Sequence, residues 1–163
     1  MLVVLLGKTA TGKTSNSFKL VREMVHSYEE DELEVNILKG NDRMWGVLER
    51  HPNVKRNKSG DLGFVKGLQA FISEYERREE VYKYGWTEED IKKDPLQLIV
   101  MDEYEMDIVN DSLENQDENN KIQEKLESIM KEKKDLGMRI IATCFPYEYT
   151  GLSGMLKQEG YIK

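Results

Sequence analysis

Cysteine is nearly absent. Cys144 is the one thiol in 163 residues, so no disulfide can form within the chain, and a reducing cytoplasm fits. Histidine is scarce too. His26 and His51 have no Cys or His companion at ligand spacing, which argues for surface or helix-end roles over a metal site. No apolar run approaches the length of a membrane span. The first, Leu2 to Leu6, is too short for a signal peptide and has no basic residue before it. Positive charge is also short: 24 basic residues stand against 31 acidic ones, a formal net charge of −7. That excludes a protein coating nucleic acid with its whole surface and leaves room for a local basic strip. No internal repeat and no Asn-Lys-x-Asp guanine reader occurs.

What is present is enough for a globular core. Apolar residues make up 39% and charged residues 34%, and the length suits one domain spanning 1–163. Leu2–Leu6 reads as a buried strand that runs straight into a glycine. Residues 12–28 read as a helix, with Phe18, Val21 and Val25 near helical spacing. Glu34–Leu38 alternates like a strand, a short helix falls around Trp45–Arg50, and Pro52 stops it. Lys55–Gly63 reads as a polar loop, after which Asp61 is placed to cap a long helix carrying Val65, Leu68, Phe71, Ile72 and Tyr75. Thr87 and Asp90 form a near capping box for one short turn. Leu96–Met101 is the clearest internal strand. A helix striped by Ile122, Leu126, Ile129 and Leu136 ends at Gly137, Met138–Phe145 is a further strand, and Thr150–Gln158 a last short helix. Strands alternating with helices predict a mostly parallel, helix-covered sheet.

The chemistry sits in GKTATGKT: Gly7, four residues, then Gly12, Lys13 and Thr14. This is the phosphate-binding P-loop pattern, placed after a buried strand and opening a helix, where the pattern must be. Glycine lets backbone N–H groups wrap a polyphosphate, and the helix N-terminus adds its unpaired N–H groups and dipole. The binding stretch runs through Gly7, Lys8, Thr9, Ala10, Thr11, Gly12, Lys13, Thr14 and Ser15. Lys13 reaches the β- and γ-phosphates of ATP and the Thr14 hydroxyl ligates Mg²⁺. A second acidic element is expected at the end of another buried strand, and LIVMDEYE supplies it. Asp102 is placed to hold the Mg²⁺, and Glu103 to orient and deprotonate the attacking water. A third element, RIIATCFP, offers Thr143 as a polar sensor beside the γ-phosphate, against the plainer reading of a core strand with an incidental threonine.

The order LLGKTATGKT, EYERREEVYKYGWTEEDI, LIVMDEYEMD, KKDLGMRIIATCFP and TGL resembles the motor domain of FtsK/SpoIIIE-type DNA translocases, in the FtsK–HerA group. The resemblance covers most of the chain. It implies a RecA/ASCE-like three-layer α/β sandwich and an ATP-driven motor on double-stranded DNA, usually a hexameric ring. By position it assigns Lys13 and Thr14 to phosphate and Mg²⁺, Asp102 to the metal and Glu103 to catalysis. The family usually has Gln where this chain has Cys144, Arg where it has Phe145, and Arg near the position of Lys134. Relatives continue past "TGL" through further strands, so Leu2–Leu6 is expected at a sheet edge, where an apolar strand invites a second copy or a partner protein. The expected function is thus a cytoplasmic, oligomeric ATPase that moves, transfers or packages DNA in a mobile element or phage. Two rivals stay open: a nucleotide or small-molecule kinase, and a hydrolysis-poor ATP-binding accessory subunit.

Among the remaining residues, Lys55, Arg56 and Lys58 read either as a solvated turn or as a phosphate-backbone contact. Arg77 and Arg78 read as helix salt bridges to nearby glutamates before a trans-acting finger. Trp45 and Trp86 read as fillers of the core margin, with adenine stacking as the alternative for Trp86.

Overall fold

The computed structural model describes residues 2–6, 12–102, 121–122, 124–126, 128–129 and 136–144, with 2–6, 61 and 144 described in their backbone only. The elements run β1 (Leu2–Leu6), α1 (Lys13–Ser27), β2 (Leu33–Lys39), α2 (Asp42–Trp45), a 3-10 turn (Gly46–Arg50), β3 (Val54–Arg56), α3 (Gly60–Lys83), α4 (Glu88–Ile91), β4 (Leu96–Met101) and β5 (Met138–Cys144). Residues described within 121–129 are helical.

The five strands form one sheet in the order β1-β5-β4-β2-β3, and every pairing is parallel. Parallel neighbours need crossovers, and the helices between strands supply them. Among the described residues β1 lies at one edge, as expected, with Leu5 beside Thr143 of β5. The other edge, β3, lies in a stretch that reads as polar loop. Its three residues pair with Val35–Ile37, and only Val54 is buried. Three residues with a single apolar member carry almost no periodicity to read.

Strand alternation divides the core into two layers. Leu98 and Val100 of β4, Ile141 of β5 and Leu33, Val35 and Ile37 of β2 pack on Val21 and Val25 of α1, with Trp45 and Leu48. Ile99 and Met101 of β4 and Met138, Ile140 and Ala142 of β5 pack on Phe64, Leu68, Phe71 and Tyr75 of α3, with Ile122 and Leu126. The result is an α/β sandwich with helices on both faces. No helix among the described residues is long and apolar enough to cross a membrane.

The α3 layer carries one buried cation. Arg78 is 1% exposed, and each of its three guanidinium nitrogens has an acceptor: Nε donates to Glu74 (2.6 Å), Nη1 to the carbonyl of Leu136 (2.9 Å) and Nη2 to the carbonyl of Pro95 (2.8 Å). It thereby ties α3 to the chain just ahead of β4 and of β5. Gly137 has φ +70°, and a Cβ there would press on Nη1 of Arg78, so glycine serves both the turn and the staple. Arg77 bridges Glu74 (2.8 Å) and Asp94 (2.6 Å), so both arginines work as intramolecular ties. The capping box of α4 forms as read, with Asp90 and Thr87 exchanging side-chain and backbone hydrogen bonds.

Replacing Arg78 with Ala should destabilise the fold by about 3–5 kcal/mol in urea unfolding, because two carbonyls and a carboxylate lose a buried fork. Arg78→Lys should recover little, since an ammonium cannot span three acceptors in one plane; full recovery would show that charge alone matters. Arg77 and Arg78 hold the Glu74 carboxyl below its ordinary value of 4.5. A depressed folded-state pKa gives stability that is complete above the unfolded value and is lost as pH falls through the folded one. Glu74→Gln should therefore flatten the decline of stability below about pH 4.5, read as the denaturation midpoint against pH; an unchanged slope would contradict it.

Candidate functional site

The same alternation that builds the α1 layer also builds the site. Asp102 continues the Leu98–Val100 row of β4, and Thr143 continues the Ile141 row of β5, so both side chains fall on the α1 face at the carboxyl end of the sheet. Open parallel sheets place their ligand sites at this end. α1 starts there as well. Gly12 caps it with φ +78° and ψ 15°, a left-handed conformation that favours glycine, although a Cβ would meet no atom within 4 Å. The glycine is needed for backbone shape and not for space.

Three donors converge on the Asp102 carboxylate, which is 2% exposed. The Thr14 hydroxyl donates to Oδ1 (2.9 Å), the Thr143 hydroxyl to the same oxygen (2.6 Å), and the Trp45 indole N–H to Oδ2 (2.9 Å). Lys13, at the first position of α1, is buried, and Ser17 donates to the carbonyl of Thr14 (2.9 Å), fixing the first turn. The structure therefore brings Lys13, Thr14, Asp102 and Thr143 to one place. Ser15 is exposed on α1. Gly7, Lys8, Thr9, Ala10, Thr11, Glu103, Lys134, Phe145 and the Cys144 side chain lie outside the described residues, as does the helix expected at Thr150–Gln158.

Trp45 is the residue that sequence reasoning underrated. It fills the core and also binds the site carboxylate, with Phe18 edge-on to it at 5.5 Å. A Cβ on Gly40 would collide with its ring, so Gly40 permits the close approach. A signal was available: a buried tryptophan must place its N–H, and Trp45 follows β2 at the end where the acidic strand stops. Trp86, by contrast, is 53% exposed and fills no core. His26 and His51, remote in sequence, meet edge to face at 5.3 Å.

The basic trio does not form a free strip. Lys55 pairs with Glu34 (2.7 Å) and Lys58 with Glu49 (2.8 Å), while Arg56 is held between Glu49 and Asp42. Lys58 and Arg56 lower the pKa of Glu49. Gln97 and Lys55 do the same to Glu34. These charges are neutralised on β2, β3 and the 3-10 turn.

The donor set at Asp102 is all oxygen: one carboxylate and two hydroxyls. That suits Mg²⁺, which takes one or two carboxylates and completes its shell with water and phosphate oxygens. Thr14 and Asp102 would hold it, and Lys13 would face the phosphates.

No protein-family model and no curated protein matches the sequence. Solved structures do. The cytoplasmic domain of EssC superposes with a TM-score of 0.68 at 17% identity, over 99% of this chain and 32% of that one. EssC (ATPases 2 and 3) from Geobacillus thermodenitrificans superposes with a TM-score of 0.58 at 15% identity, over 93% of this chain and 29% of that one. The chain thus spans about a third of the length of the EssC chains it matches. The architecture is that of these EssC structures, an α/β sandwich around a parallel sheet, the fold class expected.

Replacing Trp45 with Phe removes the donor to Oδ2 and leaves a gap where the rest of the fully buried indole packs. The lost hydrogen bond and the gap together should cost about 2–4 kcal/mol in urea unfolding. A loss under about 0.5 kcal/mol would mean that the N–H contributes nothing net.

Proposed function

We propose that the chain is a P-loop ATPase motor core of the FtsK/HerA type, which binds MgATP and couples its hydrolysis to movement of double-stranded DNA. The observation that carries the nucleotide half is the meeting of Thr14, Thr143 and Asp102 within hydrogen-bond reach where α1 begins. The GKTATGKT pattern and the likeness to the EssC ATPase structures support the same reading.

In this reading the stretch from Gly7 to Ser15 wraps the triphosphate, and Lys13 compensates the β- and γ-phosphate charge. Thr14 and Asp102 would hold Mg²⁺, which would supply positive charge to the phosphates when bound. Glu103, next to Asp102, takes a proton from the attacking water. Thr143, hydrogen-bonded to the metal-binding carboxylate, would sense the γ-phosphate through it. The DNA half rests on the sequence resemblance and on the pattern of motifs. A ring of copies would suit the edge position of β1.

Phosphate release with and without double-stranded DNA tests the proposal. Turnover should rise with DNA, vanish in Lys13→Ala with loss of ATP binding, and vanish in Glu103→Gln with ATP binding retained. Normal turnover in Glu103→Gln removes the proposed base. Phosphate transfer to a nucleoside monophosphate would favour a kinase, and tight ATP binding without turnover an accessory subunit.

A further inference from the structure

Beside the Asp102 cluster lies a cavity of about 660 Å³ whose remaining lining residues the nucleotide reading does not use. Thr14 and Asp102 line it on one side, and Phe18, Met44, Val47 and Leu48 give it an apolar wall. Val47 is half exposed although aliphatic. Three arginines line the same cavity: Arg22 from α1, Arg43 from α2 and Arg50 from the end of the 3-10 turn.

These arginines differ from the others. Arg56, Arg77 and Arg78 are each bound to one or two carboxylates, and Arg139 donates to the carbonyl of Met138. Arg22, Arg43 and Arg50 have no carboxylate partner among the described residues. In a chain with a net charge of −7, acidic residues are plentiful enough to pair them. Three exposed arginines without a carboxylate partner among the described residues border one concave, partly apolar space, an arrangement that suits a ligand bringing the negative charge.

We propose that this cavity binds a small organic phosphate monoester of mononucleotide size, its phosphate paired with Arg22, Arg43 and Arg50 and its ring lying on Phe18, Met44 and Val47. A phosphate monoester fits better than a carboxylate. It carries close to two charges and three strong acceptor oxygens, enough for several guanidinium forks, where a carboxylate offers two oxygens and one charge. The volume falls in the range of small-ligand pockets, and the aromatic and aliphatic wall suits a planar ring. The Asp102 charge is already met by three donors, so it does not set the cavity's electrostatics alone. The site is separate from Lys13 and stands or falls independently of ATP hydrolysis.

The test is calorimetric titration of the full chain with thymidine monophosphate, in the presence of Mg²⁺ and a non-hydrolysable ATP analogue. Saturable binding with a dissociation constant below about 1 mM is expected. It should weaken roughly tenfold or more in the triple variant Arg22→Ala, Arg43→Ala, Arg50→Ala. Unphosphorylated thymidine should bind at least about tenfold more weakly, and Lys13→Ala should retain the site. If the triple variant does not fold, the three single variants, judged by unchanged melting temperature, decide the point. Absence of saturation overturns the proposal, as does equal binding of thymidine. Loss in Lys13→Ala with the arginine variants unaffected would place the probe in the P-loop and overturn it too. Binding of a thymidine oligonucleotide but not of the monophosphate would replace the small ligand with a polymer.

Discussion

A buried carboxylate at the end of a parallel strand governs this half of the molecule. Removing an ion from water costs several kcal/mol, and it is tolerated only where donors replace the lost hydration. Asp102 receives three, from α1, from α2 and from β5. Hydrogen bonds to a charged group contribute about 1.5–3 kcal/mol each, so the three together are of the size needed to offset burial. Because the donors come from three elements, the carboxylate fixes where α1 begins, how closely Trp45 approaches Gly40, and which residue of β5 faces the site. The indole N–H occupies Oδ2, which leaves Oδ1 turned toward the two threonine hydroxyls. In the proposed reading, that is the oxygen presented to magnesium.

The two faces of the sheet do different work. On the α3 side the buried cation is spent on structure: each nitrogen of the Arg78 fork meets an acceptor inside the protein. On the α1 side the polar groups end at the carboxyl edge of the strands and face a cavity. The division follows from the period of a strand. Residues 98, 100 and 102 share one face, so an aspartate placed two positions after a buried valine must emerge on the same side as the helix that starts at Lys13. A one-residue shift would turn Asp102 toward the α3 layer, away from Thr14, Trp45 and Thr143.

Much of this was legible in the residues. The helix from Lys13 and the strand Leu96–Met101 are both where the residues put them, and the strand stops at Asp102 as its composition suggests. All are local signals in short windows. What escaped was non-local or too brief for a period. β3 has three residues and one buried side chain, so its pairing with β2 decides its state more than its own pattern does. Trp45 lies 57 positions from Asp102, and no spacing rule links them. The basic trio looked free because its partners, Glu34, Asp42 and Glu49, come from a neighbouring strand, from α2 and from the 3-10 turn. Sequence shows which charges exist, and only the fold shows which of them have been neutralised.

That last distinction bears on where a ligand's negative charge could be received. Lys55, Arg56 and Lys58 form the most conspicuous basic cluster in the sequence, yet each is matched by a carboxylate within 4.0 Å, and a further anion would have to break those pairs. Arg22, Arg43 and Arg50 are scattered over two helices and a turn, so no window of the sequence gathers them. They meet only because α2 and the 3-10 turn fold back over α1, a packing that Trp45 secures against Phe18 and Asp102. The residue that holds the Asp102 carboxylate thus also positions the elements that bring Arg43 and Arg50 to the cavity.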